Sequence, residues 1–160
     1  MAEPTFRPWE PRDLPFLWEM LYQSLHVRDG GAPFPRAVLE APDIAHYLTD
    51  FGRRAGDDAQ VCVTAGGERV GAAWCRRLTS DDPGYGYVSD DVPEVGMAVE
   101  AAWRGQGIGR RLLDDLLERH PALSLSVDDE NTVAARLYLT LGFVPVETIG
   151  GSTTMYHPGA

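Results

Sequence analysis

Arg104-Gly105-Gln106-Gly107-Ile108-Gly109 is the stretch around which the rest of the chain can be ordered. It follows a strand-like segment, 93–100, and opens an amphipathic segment, 107–120, whose Ile108, Leu112, Leu113, Leu116 and Leu117 recur at helical spacing. Asp115 and Arg119 fall four apart on its opposite face, where they can pair. Three alternating glycines between a strand and a helix let a ligand's phosphates approach the backbone closely. The helix start adds unpaired N–H groups and a positive dipole end. A pyrophosphate-bearing cofactor follows. A dinucleotide fingerprint needs Gly-x-Gly-x-x-Gly, and counting from Gly105 the last place is Arg110. A P-loop needs a Lys, and all 14 basic residues of this chain are Arg.

Outward from that stretch, the chain reads as alternating strands and helices. Toward the N-terminus, 5–9 is a short strand and Asp13 an N-cap. Leu14, Leu17, Trp18, Leu21, Tyr22 and Leu25 then form one helical stripe. Residues 29–35 are a Gly/Pro loop, and 36–51 is helical with an interruption at Pro42. Segments 60–65 and 69–78 form a hairpin around Gly66-Gly67, which sets Cys62 opposite Gly71 and argues against a Cys62–Cys75 disulfide. Residues 79–91 are a polar, acidic loop. Toward the C-terminus, Leu123, Leu125 and Val127 alternate with serines in a half-buried strand. Residues 132–141 are a helix stopped by Gly142, and 143–148 with 152–157 close a last hairpin. The order β-α-α-β-β-β-α-β-α-β-β describes one mixed α/β domain over 1–160.

Composition narrows the function classes. A formal net charge of -10 argues against a nucleic-acid partner. It suits either plain solubility or the attraction of a cationic substrate. Without Lys there is no Schiff base chemistry. Two Cys and four His show no metal-ligand spacing, so no metal is expected. No apolar run approaches the roughly 20 residues of a membrane span, and residues 1–9 lack the pattern of a signal peptide. A cytoplasmic setting is the expectation.

Two flanking patterns go further. Arg104, Gly107 and Gly109 fill Gln/Arg-x-x-Gly-x-Gly/Ala, and Asn131, Ala134, Leu137, Tyr138, Gly142 and Phe143 fill Asn-x-x-Ala-x-x-Leu-Tyr-x-x-x-Gly-Phe. In that order, with one strand between them, they resemble the GCN5-related N-acetyltransferase (GNAT) family over about 93–145; Arg7 and Asp13-Leu14 resemble its first strand and helix more weakly. The resemblance implies a mixed, mostly antiparallel, splayed sheet flanked by helices. It implies acetyl-CoA as co-substrate and direct transfer of the acetyl group to an amine in a ternary complex.

It also implies roles. Backbone N–H groups of Gln106, Gly107, Ile108, Gly109 and Arg110, beside Arg104 and Gly105, would hold the CoA pyrophosphate. Met97, Ala98 and Val99 would flank the pantetheine arm and offer an amide to the oxyanion. Asn131 would bond that arm, or simply cap its helix. Tyr138 would protonate the leaving thiolate, or be a core tyrosine. Glu94 would deprotonate the amine, or be a solvent-facing strand residue; Glu100 shares its face. Arg111 reads as solvated. For the acceptor, the resemblance nominates Trp18, Tyr22, His26, Tyr85, Tyr87 and the pairs Asp81/Asp82 and Asp90/Asp91. The acceptor could be a cationic small molecule or a peptide. A non-catalytic acyl-CoA sensor or docking module is the alternative of another class, and a nucleotide-binding regulatory domain a third. The last hairpin permits a homodimer without requiring one.

Overall fold

The computed structural model describes residues 3–27 and 29–159. Its elements are β1 (Thr5–Pro8), α1 (Leu14–Ser24), α2 (Pro42–Ala45), β2 (Asp58–Val63), β3 (Arg69–Arg76), β4 (Glu94–Val99), α3 (Ile108–Arg119), β5 (Ala122–Asp128), α4 (Thr132–Thr140), β6 (Val144–Ile149) and β7 (Ser152–Pro158). The order is the one expected from the sequence. The helical segment is broken at Pro42 as expected: a 3-10 turn over Arg36–Glu40 ends before it, and Pro42 begins α2, at the position where its missing N–H costs nothing.

All seven strands form one sheet in the order β1-β2-β3-β4-β5-β7-β6. Every neighbouring pair is antiparallel except β4 with β5. The β2–β3 hairpin sets Cys62 opposite Gly71 and Cys75 opposite Asp58, and both thiols are buried and free. The parallel pair is a single contact, Glu94 with Ser124, closed by the Ser124 amide on the Pro93 carbonyl at 3.0 Å. Beyond it the two strands diverge, and the sheet opens.

Alternation along the strands sends side chains to two cores. On one face Val70, Ala73, Val95 and Val99 meet Ile108, Leu112, Leu113 and Leu116 of α3, with Tyr138 and Phe143 from the chain around α4. Burying each such aliphatic side chain contributes about 1.5–3 kcal/mol. On the other face Ala59, Ala72, Trp74 and Ala98 meet Leu17, Met20 and Leu21 of α1 and Ile44, Leu48 and Phe51. No helix among the described residues is long and apolar enough to cross a membrane.

Two buried carboxylates fasten this second layer. Asp13 makes no side-chain cap on α1. Instead it accepts from Arg7 at 2.7 and 3.0 Å, from Arg69 at 2.6 Å and from the Glu10 amide at 2.7 Å, joining β1, β3 and the start of α1. Asp57 takes Arg76 with two bonds of 2.9 Å, while the same guanidinium donates to the carbonyls of His46 and Thr49. Segment 46–57 is thereby tied to β3. The expected Asp115–Arg119 pair does not form. Asp115 pairs with Arg111 at 3.1 Å, and Arg119 reaches Asp58 at 2.7 Å because β2 lies beside the end of α3.

Asp57→Ala strands the buried Arg76 charge and should cost about 3–5 kcal/mol in urea unfolding near neutral pH; a cost below about 1 kcal/mol contradicts this account. Burial pushes the Asp13 and Asp57 carboxyls up, but their arginine and amide hydrogen bonds outweigh it, so both lie below the ordinary 3.8. Their contribution is therefore complete above 3.8 and is lost as pH falls through the lower folded values. Unfolding free energy measured on acidification should decline in that window, and more steeply than in Asp57→Ala.

Candidate functional site

At one end of the opened sheet a glycine-lined backbone turn leads into a helix start and forms a candidate anion cradle. Gly105 and Gly107 sit at φ of +76° and +82°, where an L side chain is strained. A Cβ on either would meet nothing within 4 Å, so these glycines serve the backbone's path and not its packing. Gly107 precedes the first turn of the 12-residue α3, and no side chain caps it. The amides of Ile108, Gly109 and Arg110 have no carbonyl of their own helix to bond, which leaves donors and a positive dipole end for an anion. Gly109 has a different reason: a Cβ there would come within 2.9 Å of Met97 Cε. Arg104 donates from Nε to the Val99 carbonyl at 2.9 Å, fixing the strand end beneath the loop. Gln106 and Arg110 are exposed. Arg111 stacks on Phe6 at 4.6 Å and pairs with Asp115, away from the loop.

Along the opening, β4 is paired only on its β3 side: Met97, Ala98 and Val99 face Ala73, Ala72 and Gly71. Past Glu94, its backbone groups directed toward β5 have no strand to bond. Asn131 caps α4, its Oδ1 accepting from the Ala134 amide at 3.3 Å. Tyr138 projects from α4 into the core beside Phe143, with ring centroids 5.8 Å apart. Its hydroxyl has no hydrogen-bond partner among the described residues, and burial pushes the phenol up to about 12.

At the closed end stands Glu94, which is not solvent-facing: 5% of it is exposed. Burial raises its carboxyl to about 7, while the bond from the Tyr47 hydroxyl and the nearby Gly86 amide act in the opposite direction. Tyr47 donates to Oε2 at 2.5 Å, whereas Oε1 has no partner. Ser124, its register partner, also has a buried hydroxyl oxygen without one. Glu100 shares the face but bonds Gln23 of α1, beside a cavity of about 320 Å³ that Tyr22, Phe34 and Arg104 help line.

The acceptor nominees divide. Trp18 is half-buried against the α1 core. Tyr22 holds the next loop, donating to the Phe34 carbonyl at 2.5 Å under the Arg36 guanidinium. Tyr87 bonds Asp90, and Asp82 bonds His46. Asp81 and Asp91 are exposed. Tyr85, at 59% exposure, is the open aromatic near Glu94; its hydroxyl bonds Asp43 and its amide bonds Tyr47. His26 lies at the far end, where it, Asp128 and Glu130 each bring one ligand atom within 4.8 Å of the others. Tyr47, His46 and Ser124 were not singled out by sequence. They become visible only through partners distant in the chain.

A family model described as the acetyltransferase (GNAT) family matches residues 14–143. The chain belongs to the GNAT acetyltransferases. Among curated proteins it is 31% identical over 134 residues to an uncharacterised protein of Mycobacterium leprae, covering 82% of this chain and 32% of that one. It is 40% identical over 85 residues to the N-alpha-acetyltransferase RimI of Mycobacterium tuberculosis, covering 52% of this chain and 50% of RimI. The chain thus spans a third to a half of the curated relatives it matches. Among solved structures, a GCN5-related N-acetyltransferase from Kribbella flavida is 22% identical with a TM-score of 0.68, 97% of each chain being covered. The yncA protein of Salmonella typhimurium, solved with its cofactor acetyl-CoA, is 20% identical with a TM-score of 0.65, over 97% of this chain and 93% of that one. These two share the fold of this GNAT chain, including an open mixed sheet.

Gly107→Ala should lower stability by about 1–2 kcal/mol from the left-handed backbone alone, although no atom lies near the added methyl. Thermal unfolding of the variant without added ligand checks this, and an unchanged midpoint refutes it.

Proposed function

We propose that the chain transfers an acetyl group from acetyl-CoA to an amine by direct attack in a ternary complex. The observation that supports this best is the opened β4–β5 edge, with an anion cradle at one end and a buried carboxyl at the other. The residues present fit the co-substrate. Amides at the start of α3 would take its pyrophosphate, together with the backbone from Gly105 to Arg110. The free edge at Met97, Ala98 and Val99 would take the amide-bearing arm. Bound there, acetyl-CoA supplies a thioester whose acyl carbon is open to an amine.

The chain's own groups then move the protons. Glu94 accepts one from the acceptor ammonium, directly or through a water; a carboxyl at about 7 is divided between its two forms at neutral pH, the condition of an effective base. The nitrogen–carbon bond forms while an amide of the β4 edge donates to the carbonyl oxygen as its charge grows. The carbon–sulfur bond breaks, Tyr138 gives its proton to the sulfur, and the second proton lost by the nitrogen as the amide forms passes to solvent, from which Tyr138 is reprotonated. A phenol at about 12 is fully protonated beforehand, as an acid must be. No step in this scheme needs a metal. The name of the RimI relative makes a peptide or protein α-amine the first acceptor class to screen.

Glu94 must be ionised to work, so kcat/KM should rise with pH through about 7. Glu94→Gln and Tyr138→Phe should each lower kcat about 10²–10⁴-fold, with acetyl-CoA affinity retained in calorimetry. Absence of acetyl-CoA binding to the wild-type chain overturns the proposal. Binding with no turnover on any amine, and no effect of Tyr138→Phe, supports the sensor reading in its place.

A further inference from the structure

Tyr47 and Glu94 are 47 residues apart in sequence and meet under loop 84–87. The Tyr47 hydroxyl has one proton. The Tyr85 amide donates to its oxygen at 2.9 Å, so that proton is directed to Glu94 Oε2 at 2.5 Å. Oε1 is left buried without a hydrogen bond, although the Gly86 amide faces the carboxyl. Bare backbone covers the pair: a Cβ on Gly84 would stand 2.1 Å from Oε1 and 2.8 Å from the Tyr47 hydroxyl oxygen, so no side chain fits at that position. We propose that Tyr47 is the positioning residue of Glu94, holding one carboxylate oxygen so that the other is the one that accepts the amine's proton. The proposal rests on reading Glu94 as the base.

Tyr47 is itself held from several sides. The His46 ring meets its ring edge-on at 4.6 Å, and His46 Nδ1 lies 2.9 Å from Asp82. Arg76 of β3 donates to the His46 and Thr49 carbonyls, fixing the backbone on both sides of Tyr47. Two other titratable groups lie around the pair: His46, whose Nδ1 meets Asp82 while its buried Nε2 has no partner among the described residues, and Tyr85, whose hydroxyl bonds Asp43. From β5 the pair is met by Ser124, which does not titrate in water's range. A tyrosine that merely filled space would need its ring but not its hydroxyl. Here the hydroxyl makes both polar contacts, one donated and one accepted.

Tyr47→Phe removes the hydroxyl and keeps the ring. A hydrogen bond to the ionised carboxylate favours that form, so its loss should raise the Glu94 titration midpoint by about one pH unit. Carbon-detected NMR of labelled glutamate carboxyls, with Glu94→Gln to assign the resonance, reads this without turnover. The acid limb of kcat/KM should move the same way while acetyl-CoA affinity stays constant. An unmoved midpoint in folded Tyr47→Phe overturns the proposal, even if activity falls. Wild-type turnover by Glu94→Gln is a different failure: it removes the base reading, and with it the claim that Oε1 receives the proton.

Discussion

The site depends on β4 and β5 sharing one residue pair and then parting. Each strand is secured on its other side: β4 runs six registered positions against β3, and β5 runs seven against β7. Neither needs the other to stay in the sheet. What the separation leaves is a row of backbone donors and acceptors inside the fold, and such groups are costly when unbonded. A ligand arm that carries amides of its own can satisfy them. The interactions that the fold forgoes between β4 and β5 are therefore the ones available to recognise a co-substrate, and α3 begins where that row ends.

A second constraint sets the other wall. Segment 46–57 has little regular structure, yet it must present Tyr47 at a fixed height above Glu94. Packing of Leu48 and Phe51 gives it an apolar footing, and Arg76 gives it direction by bonding two of its carbonyls and Asp57 at once. A buried guanidinium is an expensive anchor unless all its donors are used. At 1% exposure, Arg76 uses four of its five N–H groups, with at least one bond on each nitrogen.

Local patterns carried most of the fold. The glycine run, the α3 stripe, the β2–β3 turn and the Asn131 cap are all short-range devices, and each was readable from neighbours in sequence. The Asp115 partner shows where this stops. Arg111 and Arg119 are both four residues away, and only the position of Asp58 on β2 decides between them. Asp13 likewise has the composition of a cap, yet Arg7 and Arg69 recruit it into a buried cluster. Of the site, the family motifs indicated the cradle and Tyr138. The burial of Glu94 and its bond to Tyr47 were illegible, because nothing near Tyr47 in the chain marks it as the partner of a strand residue.

The acidic character of the chain reads differently once those partners are known. Asp13, Asp57 and Asp58 are committed to arginines of the fold, and Asp82 and Asp90 to His46, Tyr87 and the Ser80 amide. The acidic loop beside Glu94 thus uses much of its charge to hold its own shape. Those bonds leave the net charge of -10 unchanged, since it already counts the arginines, and a long-range field that attracts cations remains. Such a field draws cations without distinguishing them, so in the proposed transfer, selection among amines would fall to short-range features such as the exposed Tyr85 ring. It would fall also to the Glu94 carboxyl, which burial raises to about 7 and bare backbone at Gly84 covers. In the proposed reaction the net charge would gather cations and shape with proton affinity would choose among them.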